Sequence, residues 1–242
     1  MSTASNVQVG ARDHEAMLQL TLRGCEAARQ AAASLAEAVS SGDEAALADV
    51  KAREEELDTL DREINEGVTA AISNCTDAAH ARQLLTCLKF ILELERIGDL
   101  LQNFGNRLRS CASRLDEQDR KDLAAMTVLI RRMTDDVYDA FSKRDVNEAV
   151  AVIRADAELD RLRNLTFVRH IENPEGEPHA ESFHVVFMAQ TLERAGDHAK
   201  NLAEEIVHLV TGRSVRHLLR SYDKPWENLF IDSMRKRTSE RR

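Results

Sequence analysis

Two carboxylates four residues apart occur twice in this chain in the same local setting, Leu94-Glu95-Arg96-Ile97-Gly98-Asp99 and Leu192-Glu193-Arg194-Ala195-Gly196-Asp197. On a helix that spacing sets both side chains on one face, one turn apart. A second acidic pair also recurs, as Glu54/Asp58 and Asp156/Asp160. If the helices carrying the two kinds of pair run antiparallel, four carboxylates converge in each half. Oxygen ligands with no Cys and no His built into the repeat suit hard cations: Mg, Mn, Ca or iron. Glu95 follows Leu88, Ile91 and Leu92 along what reads as an apolar stripe. Carboxylates brought there cost several kcal/mol unless protonated, paired or metal-bound. Gly98 and Gly196, inside the motif, each cost about 1 kcal/mol of helix propensity, which is tolerable where something must approach the backbone closely. The competing reading is a set of surface ion pairs with the adjacent arginines, plus tight helix packing at the two glycines.

The elements that must position these groups are long amphipathic helices. Leu18, Leu22, Cys25, Ala28, Ala32, Leu35 and Val39 recur at three- and four-residue steps and predict a first helix over 14–39. Ser40 to Asp43 turns the chain, with Asp43 placed to cap a second helix over 44–74. A third runs over 78–114 through Leu84, Leu85, Leu88, Ile91, Leu92, Ile97, Leu101, Phe104 and Leu108. After Asp116 a fourth helix extends to about Phe141, Ser142 to Asp145 turns, and a fifth spans 146–171. The segment 172–179, with Pro174 and Pro178, reads as a loop, and a sixth helix spans 180–211 with Gly212 as its C-cap. Short connections between long helices imply antiparallel neighbours, so the fold class is all-α.

The two halves match residue by residue. A shift of 102 lays 50–58 on 152–160, and a shift of 98 lays 94–99 on 192–197 and Asn103 on Asn201. Two tandem antiparallel three-helix bundles, 12–115 and 116–212, followed by a tail at 213–242, are the economical explanation. Composition agrees. All three prolines lie beyond residue 173, so nothing interrupts the first five helices, and an all-β fold with frequent turns is disfavoured. The net charge of -9 divides unevenly: the tail holds nine Lys/Arg against four Asp/Glu, leaving an acidic body. An acidic body does not suit nucleic acid. The four cysteines show no CxxC spacing and are expected as buried reduced thiols. No run of 18 apolar residues and no signal-like N-terminus is seen, so a cytoplasmic protein is expected.

The two signature helices, Leu94 to Asn103 and Leu192 to Gly212, resemble those of the PhoU family, regulators of bacterial phosphate uptake; the similarity covers about residues 12–215 and includes an Asn-Pro loop at Glu172-Asn-Pro-Glu-Gly. The resemblance implies two three-helix bundles side by side. It implies a negative regulator of the phosphate-starvation response, binding a phosphate-responsive sensor histidine kinase and the ATPase subunit of the phosphate ABC transporter. It also implies a homodimer working close to the membrane through those partners, and multinuclear metal clusters containing Fe, Zn, Mn or Mg. Carried over by position, the first cluster would use Glu54, Asp58, Glu95 and Asp99 and the second Asp156, Asp160, Glu193 and Asp197, with Asn103 and Asn201 as supporting ligands. Glu54 departs from the Asp of the second half, and the tail has no clear family counterpart.

Other chemistry finds less support. Glu181/His184 and Glu205/His208 evoke a ferritin-like di-iron oxidase, but both pairs lie on the sixth helix, 24 residues or roughly 36 Å apart. His198 has no equivalent in the first half, where Leu100 stands, and reads as a packing or surface histidine. No phosphate-binding glycine loop and no nucleophile elbow is present, so no enzymatic activity is expected. A helical adaptor without metal remains the alternative.

Overall fold

The computed structural model describes residues 2–73, 75, 77–172 and 180–212. Six helices follow one another: α1 (Ser2–Ser41), α2 (Glu44–Ile72), α3 (Ala78–Cys111), α4 (Glu117–Lys143), α5 (Val146–Ile171) and α6 (Ala180–Thr211), with a single 3-10 turn, Ala112–Arg114, after α3. The aspartates before α2, α3, α4 and α5 cap them: Asp43 accepts from the amide of Ala45 at 2.8 Å, Asp116 from that of Asp119 at 2.6 Å, and Asp145 from that of Asn147 at 2.7 Å. Asp77 takes two amides, those of Ala79 and His80. Each satisfies donors that a helix start leaves without an internal partner. α1 and α6 end at Gly42 and Gly212 with positive φ, as C-cap glycines do, whereas α4 ends at Arg144, the one non-glycine residue with positive φ among the described residues.

α1 starts at Ser2 rather than at the expected residue 14: no proline interrupts 2–13, and the apolar stripe from which the start was read begins later. The expected loop at 172–179 falls on residues 173–179 outside the described ones, as does the basic tail.

The first three helices pack as an up-down-up bundle, and so do the last three. Direction is fixed by the contacts: Arg109 of α3 reaches Glu44 of α2 at 2.8 Å while Gln102 reaches Glu54, so the two helices run antiparallel. The bundles then meet through corresponding helices, α1 on α4 and α3 on α6. Arg29 of α1 lies 3.5 Å from Asp135 and 5.2 Å above the Tyr138 ring of α4. Along α3 and α6, Lys89 pairs with Glu205 at 2.9 Å and Arg107 stands over Phe187. One continuous apolar core runs through all six helices, from Leu35 and Leu57 through Phe90 and Phe104 to Leu123, Leu159 and Leu202. α2 and α5 are left on the outside, each packing mainly against its own bundle.

Three cysteines, Cys25, Cys87 and Cys111, are buried in this core as expected, and all four are unbridged; Cys75 is only half-buried, because it sits in the α2–α3 turn rather than on a packed face. Burial lifts the Cys25 thiol far above the ordinary cysteine range. No described helix is long and apolar enough to cross a membrane.

Candidate functional site

The acidic pairs of each repeat are brought together by a glycine. A Cβ on Gly98 would lie 2.7 Å from Leu57 Cδ1 and 3.7 Å from Glu54 Cα. In the second repeat, a Cβ on Gly196 would fall on Leu159 Cδ2. The close approach that the glycines permit is therefore a leucine of the preceding helix set against the backbone, with Leu57 and Leu159 both fully buried. The same contact draws α2 onto α3 and α5 onto α6 at the level of the carboxylates.

In the first repeat Asp58 and Asp99 are charge neighbours of both Glu54 and Glu95. Glu54 is half-buried and accepts from Gln102 Nε2 at 3.0 Å. Its carboxyl is raised above the ordinary glutamate range by burial first, then by the charges of Asp58 and Asp99. Glu95 is raised in the same way, by burial, Asp99, Asp58 and also Asp61, with Arg96 opposing. Arg96 lies 3.5 Å from Glu95 and 3.4 Å from Asp99, but it is 61% exposed, and such a pair contributes little. Asp58 and Asn103 are exposed. The placement of Glu95 needs a correction: Leu92 is 56% exposed, as is Leu85 at 48%, so the core stripe passes through Leu84, Ile91, Leu94, Ile97 and Leu101, and Glu95 stands at its edge. One residue in a turn decides this, since the packed stripe of α3 drifts around the helix to meet α1 and α6 as well as α2.

The second repeat has the same carboxylates in a different electrical setting. Asp156 and Asp160 are buried, Glu193 nearly so, and Asp197 is half-buried. Lys200 Nζ is ion-paired with Asp156, and Arg163 Nη2 lies 3.4 Å from Glu193, whose other oxygen accepts from Gln190 at 2.6 Å. Burial raises the Asp156 carboxyl, helped by Asp160 and Asp197, while Lys200 pulls against the rise. Asn201 does not join this cluster. Its amide donates to Glu93 of α3 at 3.1 Å, and His198 Nδ1 lies 2.6 Å from the same oxygen, so both residues belong to the seam between bundles.

The sequence reading missed Asp61, Gln102, Arg163, Lys200 and Glu93. Four of these are recoverable from the repeat itself: the offsets of 102 and 98 that align the acidic pairs also lay Asp61 on Arg163 and Gln102 on Lys200. Among the described residues no group of three or more His, Cys, Asp or Glu that could hold a metal ion is present as the side chains stand. The first repeat offers oxygen donors set against one another and half open to solvent, the donor chemistry a hard cation takes. The second already holds two cations of the chain's own.

Elsewhere, Asp119, Arg169, His170 and Ser182 form a buried polar cross-link. His170 Nε2 lies 2.8 Å from Asp119 Oδ1, its Nδ1 lies 3.1 Å from Ser182 Oγ, and Arg169 is also paired with Asp119. This ties α4, α5 and α6 at one end. Glu205 and His184, from the two Glu-x-x-His pairs, are used separately along the seam, on Lys89 and on Arg107 Nη1 at 3.3 Å.

Comparison with known proteins agrees with the architecture. A family model described as the PhoU domain matches twice, over residues 21–108 and 123–206. The chain is 35% identical over 176 residues to the "Phosphate-specific transport system accessory protein PhoU homolog" of Caulobacter vibrioides, covering 69% of this chain and 74% of that one. It is 32% identical over 171 residues to "PhoU homolog 1" of Thermotoga maritima, with the same coverage. The crystal structure of PhoU from Pseudomonas aeruginosa superposes with a TM-score of 0.67 over 87% of this chain and 99% of that one, at 22% identity.

Proposed function

The chain belongs to the PhoU family, and from that premise we propose that it regulates phosphate transport, restraining the phosphate-starvation response when phosphate is plentiful. The observation that carries this reading is the match of both repeats, in order, to the family of phosphate-specific transport accessory proteins. It works by binding rather than by catalysis. Its partners are the phosphate-responsive sensor histidine kinase and the ATPase subunit of the phosphate ABC transporter, which it meets from the cytoplasm at the membrane face, and it acts as a homodimer.

A divalent cation belongs to the first repeat, held by Glu54, Asp58, Glu95 and Asp99. Bound there, it would supply positive charge that offsets both the burial and the neighbouring acidic charges that raise Glu54 and Glu95. The chain's own contribution is to fix those carboxylates on two helices pinned by Leu57 against Gly98.

The test is a deletion strain assayed for phosphate-starvation gene expression in high phosphate. Constitutive expression, restored to repression by the wild-type chain, is the expected result. Unchanged regulation in the deletion would assign the protein to a different process. Metal content of protein purified without chelator, compared with that of Glu54→Ala/Glu95→Ala, separates the cation site from a metal-free adaptor: equal content in the two removes the site and leaves the regulatory role standing.

A further inference from the structure

The two repeats place the same carboxylates on corresponding helices, yet two positions beside them differ in charge. Where the first repeat has Gln102 donating to Glu54, the second has Lys200 ion-paired with Asp156. Where the first has Asp61 beside Glu95, the second has Arg163 on Glu193. Both substitutions add a positive charge directly on carboxylates of the second repeat, Asp156 and Glu193. The side chains are not loosely tethered surface groups. Lys200 and Arg163 are each 23% exposed and their carboxylate partners 5% and 10%.

We propose that the second repeat uses Lys200 and Arg163 as built-in counter-cations, so that its carboxylates take no external metal. The reading of the first repeat rests on the function proposed above; the assignment of the second rests on its own ion pairs. Electrostatics gives the reason. An ammonium and a guanidinium already within a few ångströms of the carboxylates repel an incoming dication and compete for the oxygens it would need, and partial burial keeps solvent from screening that repulsion. In exchange, Asp156 and Glu193 keep a cationic partner whatever the metal supply, whereas the first repeat depends on what is bound.

The repeat supplies the experiment, since each half carries the substitutions that would convert the other. Full-length protein stripped with EDTA is titrated with Mn2+, and bound ions are counted by equilibrium dialysis. The variants are Arg163→Asp/Lys200→Gln, Asp61→Arg/Gln102→Lys, and Glu193→Ala/Asp197→Ala. Arg163→Asp/Lys200→Gln is expected to melt about 5–10 °C below wild type in EDTA, because buried acids lose their partners, and to recover most of that loss with Mn2+ while binding at least one more ion. Asp61→Arg/Gln102→Lys is expected to lose the ions bound by wild type. Glu193→Ala/Asp197→Ala should bind as many as wild type. A fall in bound Mn2+ in Glu193→Ala/Asp197→Ala would overturn the proposal, because the second repeat would then be a metal site in the native chain; this measurement stands even if Arg163→Asp/Lys200→Gln fails to fold. A folded Arg163→Asp/Lys200→Gln that gains no ion would also overturn it. A wild type that binds no Mn2+ removes the first-repeat site instead, and the gain in Arg163→Asp/Lys200→Gln still decides the question for the second.

Discussion

Glu54 and Glu95 show at the scale of single residues how this molecule carries its acidity. Both carboxyls are raised by burial and by each other's neighbours, Asp58 and Asp99 above all. Between the ordinary glutamate value and the raised one, the folded chain binds more protons than the unfolded chain. Stability therefore falls as pH rises through that window and is recovered as pH drops below it. Glu95→Gln should then melt above wild type at pH 7 in chelator, with the gain shrinking toward zero below about pH 4, where the unfolded glutamate is also protonated. A gain that persists unchanged at pH 4 would show that packing, not charge, is responsible. The acidic pairs were legible in the sequence because they repeat. Their environment was only half legible: the repeat offsets pair Asp61 with Arg163 and Gln102 with Lys200, but which carboxylate each one meets across the helix pair is a tertiary contact.

At the scale of elements, helix extents followed closely from pattern and punctuation. Asp caps, glycine stops and the absence of proline before residue 174 left few alternatives, and α5 and α6 fall on the expected ranges. What the pattern did not settle was which side of α3 is packed. A helix that touches α1, α2 and α6 buries a band wider than one stripe, so Leu92 could be exposed while Phe90 and Leu94 are not. The glycines within the acidic motifs matter at this scale. Gly98→Ala gains about 1 kcal/mol of helix propensity but drives a Cβ to 2.7 Å from Cδ1 of the fully buried Leu57, so that the leucine or its helix must shift. Overpacking of this kind costs about 1–3 kcal/mol. The expected net result is a loss of up to about 2 kcal/mol, read as a lower urea midpoint at unchanged slope. A variant as stable as wild type would mean that α2 can shift away from α3 freely.

On the scale of the whole molecule, two copied bundles share one core. α1 meets α4 and α3 meets α6, and apolar side chains of all six helices are continuous across the seam, with polar clasps such as Glu93 to His198 at its edge. Such a molecule should unfold as a unit. Hydrogen exchange is expected to give the slowest amides of α3 and of α6 the same opening free energy, with the same denaturant dependence. Distinct limits for the two repeats would show that they unfold separately. The amino-acid sequence by itself determined the helices, their antiparallel order within each half and the duplication, because periodicity, caps and repeated motifs are properties of neighbours along the chain. Only the tertiary structure decided how the halves join, that Asn201 and His198 serve the seam, and that the two acidic faces differ in charge. Those outcomes depend on which side chains meet between helices, from Arg163 and Glu193, 30 residues apart, to Asn201 and Glu93, 108 apart, a relation that the order of residues along one helix does not contain.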